Sequence, residues 1–409
     1  MTVKRIVIAG GGQCAAAAAA TLRSRGFDGA VTIVGAERDL PYERPPLSKD
    51  YLLGKTTAAQ LLIRPAPWYA EQDVWLRLGA SVTSVGLGDR RLSLSDGGTV
   101  GYDLLLIASG GRPRPLPGVT DERVVYLRSR SDSEDLGRRI RAAGEIVVLG
   151  GGFIGCEVAA AARTLGARVT ILEMRDTLLG AALGGAAGAV IADIHRAAGV
   201  DVRTGEPVRT VTAGPGGVHV RTERGELRCG LLLVATGMLP NTGFLAGTGL
   251  DAPGGVTVDE FCRTGVDGVF AAGDVAVAYH PDYGAHLRVE HYDNAIRQGA
   301  AAADCMVGGG GPYVEPHWFW SDMYEHNLQS VGLAHGCDQT VLRGSLGDGR
   351  FSVFYLAGGV VRAVFALNRP KDISAGRRMV EGRLRPDPRV LADESADLRE
   401  LTRASRRQP

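Results

Sequence analysis

The feature that most constrains this chain is a strand–glycine–helix pattern that occurs twice. The first copy is "RIVIAGGGQCAAAAAA", beginning at Arg5, and the second is "EIVVLGGGFIGCEVAA", beginning at Glu145. A second β-branched run that ends in an acid follows each copy, at Glu37 and at Glu173. Such a pattern is typical of a dinucleotide site, because the turn and the helix N-terminus hold the pyrophosphate. The sequence therefore predicts two nucleotide-binding domains of similar build.

The first glycine motif consists of Gly10, Gly12 and Ala15, with alanine as the accepted variant at the third position. The first glycine allows the tight turn, and the second lets the main chain approach the pyrophosphate. Glu37 comes 27 residues after Gly10, where its carboxylate is expected to accept hydrogen bonds from ribose hydroxyls. A tight turn without a ligand is the alternative, but the strand, the helix and the acid together favour binding.

The second glycine motif is complete, with Gly150, Gly152 and Gly155 at the three positions. Glu173 lies 23 residues beyond Gly150, close to the usual interval. A carboxylate at this place repels a 2′-phosphate, so the sequence favours NADH over NADPH. Arg175 lies two residues further on and weakens that argument.

Composition limits the remaining classes of function. The chain has 409 residues, which predicts two or three domains, and a net charge of +1, which implies no general attraction to nucleic acid or an anionic membrane. No apolar run has the length of a membrane span, and no signal peptide precedes the first strand. The six cysteines form no CxxC pair, and the spacing of His280, His286 and His291 fits no metal site. These features predict a cytoplasmic protein without a metal, and leave monomer and homodimer open.

Two dinucleotide sites in one chain suggest a relay between two cofactors. NADH would pass a hydride to the second cofactor. FAD is the obvious choice, because flavin accepts two electrons together and releases them singly.

Motifs along nearly the whole chain resemble those of the ferredoxin reductases of bacterial oxygenase systems. These are the putidaredoxin reductase and biphenyl dioxygenase reductase type, within the glutathione reductase structural superfamily. Of the motifs, only "YERPPLSK" and "FWSD" separate this branch from its relatives. The complete set is "GGGQCA", "LPYERPPLSK", "LLLIASGGRPRPLPG", "GGGFIGCEVAA", "LLLVATGMLPN", "GVFAAGDVA" and "HWFWSDMYE".

This resemblance implies roles for individual residues. Lys49, in "YERPPLSK", would lie near the flavin ring and could pair with Glu157 at the nicotinamide, so these two are the expected catalytic residues. Gly237, at the end of "LLLVATG", is assigned to the nucleotide site. The further contacts implied for FAD are Arg44, Val82, Arg128, Asp274, Tyr292 and Trp320.

The residues themselves allow other interpretations. Lys49 is also compatible with a solvated lysine, and Glu157 with a charge that complements the helix dipole. Asp274 is compatible with a helix N-cap, and Trp320 with a core aromatic residue.

Departures from the family pattern and the placement of cysteines bear on the acceptor. Met323 stands where the family usually has Gln after "FWSD", which leaves details of the flavin edge and acceptor surface open, and Ser109 stands where Thr is usual.

Residues 15–155 contain no cysteine, although disulfide reductases and peroxidases of this superfamily carry redox thiols there. Cys14, in the first glycine turn, is expected to serve packing. Electrons should therefore leave the flavin directly.

A [2Fe–2S] ferredoxin that feeds a monooxygenase or dioxygenase is the expected acceptor. Ferredoxins are usually acidic, so the docking surface should be basic. Residues 361–409 contain twelve Arg and Lys against seven Asp and Glu, and an ordinary solvated face is the alternative interpretation of this excess. The clearest cluster is Arg369, Lys371, Arg377 and Arg378.

The sequence therefore predicts an α/β protein with two Rossmann-like dinucleotide-binding domains and a small C-terminal α+β domain. The FAD-binding domain is expected to be discontinuous, at 1–112 and 241–312, with an NAD(H)-binding domain at 113–240 and a C-terminal domain at 313–409. Two other functions remain: a redox-responsive interaction protein resembling apoptosis-inducing factors, and an NADH-dependent reductase of small acceptors such as quinones.

Overall fold

The first strand–glycine–helix pattern folds as the sequence predicts, in a computed structural model that describes residues 3–252 and 254–404. Four of the five residues of its strand are buried, and the alanine-rich segment forms a helix. The elements of this part of the chain are β1 (Arg5–Ala9), α1 (Gln13–Ser24), β2 (Ala30–Gly35), α2 (Asp50–Leu53), α3 (Ala66–Glu71), β3 (Val74–Leu78), β4 (Val82–Gly86), β5 (Arg91–Leu94), β6 (Thr99–Gly101), β7 (Leu104–Ile107) and β8 (Gly111–Pro113).

The second pattern folds in the same way. Its elements are β9 (Val124–Val125), α4 (Arg130–Ala143), β10 (Glu145–Leu149), α5 (Phe153–Thr164), β11 (Arg168–Leu172), α6 (Gly180–Leu183), α7 (Gly185–Ala197), β12 (Asp201–Arg203), β13 (Val208–Gly214), β14 (Gly217–Thr222), β15 (Gly225–Cys229) and β16 (Leu232–Val234). The parallel sheet has the order β12-β11-β10-β16-β9, so the glycine turn leaves the central strand. Strands β13, β14 and β15 form a separate antiparallel sheet.

The chain then returns to the first parallel sheet. The elements of this part are β17 (Met238–Pro240), β18 (Val256–Val258), β19 (Val269–Ala271), β20 (Ala276–His280), β21 (Ala285–Leu287) and α8 (Tyr292–Met306). Strand β19 completes a five-stranded parallel sheet of order β19-β7-β1-β2-β3. Helix α8 packs against α1, because small residues such as Gly299 allow close approach to Cys14.

The last part of the chain forms a five-stranded antiparallel sheet with helices. Its elements are β22 (Trp318–Met323), β23 (His326–Gly332), β24 (Gln339–Ser345), β25 (Arg350–Ala357), β26 (Val360–Leu367), α9 (Pro370–Glu381), α10 (Pro388–Ala392) and α11 (Leu398–Ala404). The sheet order is β22-β23-β26-β25-β24. The β25–β26 hairpin turns at Gly358 and Gly359, both with positive φ. The α/β class is therefore confirmed.

The described residues cluster into two units, which differ in part from the predicted domains. The first unit contains the residues up to Arg44, Ala58–Arg112 and Met238–Glu315. The second contains Pro45–Thr57, Pro113–Gly237 and the residues from Pro316 onward.

The second unit therefore includes a short segment, 45–57, that the sequence places in the domain 1–112. The hydroxyl of Ser133 donates to the carbonyl of Leu47 at 2.6 Å, which ties this segment to α4. Leu52 is buried in the same apolar cluster as Leu136 and Ile140 on that helix. Packing against α4 accounts for the difference from the prediction.

The C-terminal sheet also belongs to this second unit. Residues on one of its faces, including Met323 and Phe365, share a core with α5 and α7, while α9 to α11 pack on a separate core. The hydroxyl of Tyr355 donates to the carbonyl of Leu183 at 2.8 Å. Among the described residues, no helix combines the length and the apolar character needed to cross a membrane.

A buried histidine beside a second tyrosine is expected to make the stability of this unit sensitive to pH. The Nδ1 atom of His195, on α7, lies 3.0 Å from the hydroxyl of Tyr324 at the β22–β23 turn. His195 is fully buried, and burial lowers its pKa from 6.5 to about 4. Because the folded-state pKa is the lower one, the unfolded chain binds the proton first, and stability is lost as pH falls from 6.5 towards 4.

We expect His195→Gln, which cannot titrate, to remove this loss. At pH 5, protonation of His195 in the unfolded chain lowers the free energy of unfolding of wild type by about 2 kcal/mol. The variant does not lose this stability. Melting temperatures measured between pH 7 and pH 5 should fall more steeply for wild type than for the variant. Parallel curves would show that His195 is not the group that titrates.

Candidate functional site

The second glycine turn is shaped by contacts that exclude larger side chains. Gly150 has a φ of +108°, and a Cβ placed there would lie 2.5 Å from the carbonyl oxygen of Ala235. A Cβ at Gly155 would lie 2.0 Å from the carbonyl oxygen of Gly150, so helix α5 starts in close contact with the turn. At Gly152 no atom lies within 4 Å of that position. The turn is therefore closed toward the sheet and open where a pyrophosphate binds.

A cavity of about 1010 Å³ opens in front of this turn. Its volume and its glycine-lined floor fit a nicotinamide dinucleotide. The residues around it include two acids, two arginines and Phe153. Of the predicted residues, those that line it are Gly150, Gly152, Glu173 and Gly237.

Glu173 is held by the main chain at the end of β11. Its two carboxylate oxygens accept N–H groups of Gly151 and Arg175, each at 2.7 Å. These hydrogen bonds orient the buried carboxylate toward the glycine turn. Arg175 is exposed and lines the cavity, so a cation lies near the acid that favours NADH.

The carboxylate of Glu157, on the second turn of α5, is the centre of a buried hydrogen-bond network. The ammonium of Lys49 lies 2.8 Å from one carboxylate oxygen, which confirms the ion pair that the sequence predicted. The hydroxyl of Ser48 donates to the same oxygen, and the hydroxyl of Ser321 donates to the other at 2.6 Å. Glu157 is 4% exposed and Lys49 15%. Lys49 is therefore not a solvated lysine.

Ser48 and Ser321 were not predicted from the sequence as site residues. Both lie in the two motifs that separate this branch from its relatives, "YERPPLSK" and "FWSD", so the signal was present. Neither hydroxyl could be assigned a partner from sequence, because Ser48 and Ser321 are 109 and 164 residues from Glu157.

The first glycine turn, in the other unit, has the same construction. Gly10 has a φ of +138°, and a Cβ there would lie 2.1 Å from the carbonyl oxygen of Ala108. Gly12 is open, with no atom within 4 Å of its Cβ position, and Ala15 is fully buried. This turn fits a second pyrophosphate, the one assigned to FAD.

Glu37, beyond the end of β2, has different partners from Glu173. Its carboxylate accepts the hydroxyl of Tyr42 and the guanidinium of Arg44, both at 2.5 Å. Burial lowers the pKa of Arg44, but the charges of Tyr42 and Glu37 outweigh this and raise it overall. Arg44 therefore lies beside the acid predicted to bind the FAD ribose.

Asp274, Tyr292 and Val82 lie in the same unit as the first turn. Asp274 follows β19 in a short 3₁₀ turn, not at a helix N-cap, and the preceding Gly273 donates its N–H to Gln298 at 2.7 Å. Tyr292 begins α8 and donates its hydroxyl to Glu43 at 2.8 Å. Val82 begins β4 and pairs with Leu94.

The two departures from the family pattern are both accommodated. The Ser109 hydroxyl donates to the carbonyl of Asn241 at 2.8 Å, and the Asn241 amide donates back to the carbonyl of Ser109. Met323 is 2% exposed and packs in the core of the second unit. Met323 therefore affects core packing and not an exposed acceptor surface.

Arg128 and Trp320 lie in the second unit. The N–H of Arg128 donates to Asp132, in the capping box that begins α4. The Trp320 ring stacks on that of Trp318, with centroids 5.0 Å apart, and both are partly exposed.

The predicted basic cluster is only partly available at the surface. Arg369 is 14% exposed and is engaged by Asp372 at 2.7 Å and by Glu394. Local acids therefore hold its guanidinium, and its place on a docking face stays a prediction. Lys371 and Arg378 are exposed, and Arg377 is partly exposed.

Comparisons with known proteins agree with this geometry. Residues 4–299 match the family described as pyridine nucleotide-disulphide oxidoreductase, and residues 318–402 match the reductase C-terminal family. A protein named anthranilate 1,2-dioxygenase system ferredoxin–NAD(+) reductase component, from Burkholderia cepacia, is 40% identical over 98% of this chain and 99% of its own. Putidaredoxin reductase of Pseudomonas putida is 36% identical over 98% of this chain and 97% of its own.

A solved structure gives the same result. The crystal structure titled as the covalent putidaredoxin reductase–putidaredoxin complex matches with a TM-score of 0.95 and 36% identity, and covers 99% of both chains. Two dinucleotide-binding turns and a C-terminal reductase sheet define a flavoprotein oxidoreductase that uses a nicotinamide dinucleotide. The chain belongs to the pyridine nucleotide-disulphide oxidoreductase family, in the ferredoxin reductase branch.

The open positions of the two turns provide a matched pair of variants. In Gly152→Ala the added methyl group would occupy the space in front of the second turn, and we expect the affinity for NADH to fall at least tenfold, by about 1.4 kcal/mol. Gly12→Ala should instead lower the retention of FAD. The backbone φ values of −78° and −101° accept alanine, so both variants should fold.

Calorimetric titration with NAD⁺ and the flavin content after purification measure these effects. Gly155→Ala is the steric contrast, because its Cβ meets a carbonyl oxygen, and its melting temperature should fall. Unchanged NAD⁺ affinity in Gly152→Ala would contradict the assignment of this turn to the pyrophosphate.

Proposed function

We propose that this protein transfers reducing equivalents from NADH through FAD to a [2Fe–2S] ferredoxin that serves a monooxygenase or dioxygenase. The observation that carries the proposal is the buried Lys49–Glu157 pair in the unit that also contains the dinucleotide cavity. Relatives along the full length support the acceptor, since they are named ferredoxin reductase components of dioxygenase systems.

FAD, when bound, accepts two electrons from the nicotinamide and passes them on singly. The residues of this chain bind, orient and shield the reacting groups. We assign Glu157 to orienting the nicotinamide and Lys49 to tuning the electrostatics beside the flavin. The remaining proposed contacts to FAD are Gly10, Gly12, Ala15, Glu37, Arg44, Val82, Arg128, Asp274, Tyr292 and Trp320, and those to NADH are Gly150, Gly152, Gly155, Glu173 and Gly237.

The cysteines support direct electron exit. Burial raises the pKa of Cys14, with a smaller contribution from Asp274, and burial likewise raises that of Cys156. Burial raises the pKa of Cys229 to about 11. These thiols stay protonated at neutral pH and are poor nucleophiles, so none is suited to a thiol relay. All six cysteines are free, which also supports our proposal of a reducing, cytoplasmic compartment.

The donor preference follows from Glu173. Its buried carboxylate favours ribose hydroxyls and repels a 2′-phosphate, which supports NADH as the donor. The direct test compares NADH with NADPH in the reduction of a purified [2Fe–2S] ferredoxin. Faster turnover with NADH supports the proposal. Rapid reduction of quinones with no transfer to a panel of ferredoxins would favour the small-acceptor function instead.

Charge on the C-terminal segment should control the encounter with the ferredoxin. We expect Lys371→Glu combined with Arg378→Glu to lower the second-order rate of ferredoxin reduction about tenfold at low salt, because electrostatic steering acts on association. Flavin reduction by NADH should be unchanged.

The matched control is Arg168→Glu combined with Arg228→Glu, which changes the net charge by the same amount at exposed positions on β11 and β15. A loss of equal size in both variants would mean that net charge, not this cluster, sets the rate. Repeating the measurement at high salt should remove most of the difference between wild type and the double variant.

A further inference from the structure

Three segments that are distant in sequence meet at one buried carboxylate. Glu157 is contributed by α5, Ser48 and Lys49 by the segment 45–57, and Ser321 by β22 of the C-terminal sheet. Ser48 is 1% exposed and Ser321 is fully buried, so both hydroxyls are shielded from bulk solvent. Burying a carboxylate costs free energy unless it is paired and hydrogen-bonded. Here two hydroxyls and an ammonium provide these interactions.

The contact of Ser321 is part of a wider match between β22 and α5. Alternate residues of β22 face the helix: Phe319 packs on Phe153 with ring centroids 3.9 Å apart, Ser321 binds Glu157, and Met323 enters the shared core. Phe153 and Glu157 are four residues apart on one helix face, and Phe319 and Ser321 are two apart on one strand face. Ser321 therefore makes a polar contact between β22 and α5, next to the apolar contacts of Phe319 and Met323.

We propose that Ser321 is a positioning residue for the reaction at Glu157. Its hydrogen bond holds the carboxylate in place beside Lys49, so the C-terminal segment completes a site whose charged groups come from the nucleotide-binding part of the chain. Ser48 acts in the same way on the other carboxylate oxygen. This inference rests on the proposed function, since it assigns Glu157 to the nicotinamide.

The expected effect follows from the loss of one hydrogen bond that fixes the carboxylate. In Ser321→Ala one carboxylate oxygen of Glu157 loses its hydroxyl donor, so the side chain is held less firmly beside Lys49. We expect the limiting rate of flavin reduction by NADH to fall about tenfold, as for the loss of a hydrogen bond to a charged group. Ser48→Ala should lower the same rate.

The C-terminal sheet contains a matched control. Ser352, on β25, is also fully buried and also donates its hydroxyl to a carboxylate, that of Asp372, at 2.8 Å. Ser352→Ala removes a comparable bond away from Glu157. It can lower the melting temperature as much as Ser321→Ala does, but it should leave the limiting rate of flavin reduction and the NAD⁺ affinity at wild-type values.

The experiment uses the FAD-loaded enzyme and records single-turnover flavin reduction over a series of NADH concentrations, which separates the limiting rate from the apparent affinity. Calorimetry with NAD⁺ is the readout independent of turnover. A lower limiting rate and weaker NAD⁺ binding in Ser321→Ala and Ser48→Ala, absent in Ser352→Ala, support the positioning role. Limiting rates and affinities of both variants that equal those of Ser352→Ala would overturn it. A wild-type flavin that NADH does not reduce would instead overturn the proposed function.

Discussion

The buried carboxylate of Glu157 is the interaction on which the second unit depends. An isolated charge in this position would be strongly destabilising, and losing one partner of a buried pair typically costs about 3–5 kcal/mol. The donors that stabilise it come from Ser48, Lys49 and Ser321. Because these donors lie on separate segments, satisfying one carboxylate also brings the segment 45–57 and the C-terminal sheet onto α5.

The two glycine turns show how similar local sequences form sites with different surroundings. In both, the first glycine has a positive φ and the second leaves open space. The acids that follow differ: Glu37 is bound by the side chains of Tyr42 and Arg44, whereas Glu173 is bound by main-chain N–H groups. Because main-chain groups hold Glu173, no side chain is needed to fix it and the cavity in front of the turn stays open. An open cavity suits a substrate that binds and leaves. The side-chain arginine beside Glu37 suits a cofactor that stays bound.

Much of the fold and part of the site could be predicted from sequence, because those features are encoded locally. The glycine spacing and the acid at the next strand end identify both turns, and the resemblance pairs Lys49 with Glu157. Contacts between distant residues could not be predicted: Ser133 and Leu47 are 86 residues apart, and no periodic pattern records such a bond. Counting charges also could not show that Asp372 and Glu394 engage Arg369.

The measurement that tests the central claim most directly is stopped-flow flavin reduction by NADH in wild type and in Glu157→Gln. The amide keeps the size of the side chain but removes the charge that pairs with Lys49. The account predicts equal FAD content and flavin reduction at least tenfold slower in the variant, about 1.4 kcal/mol in activation free energy. Equal reduction rates in the two proteins would contradict the claim that the nicotinamide reacts beside this carboxylate.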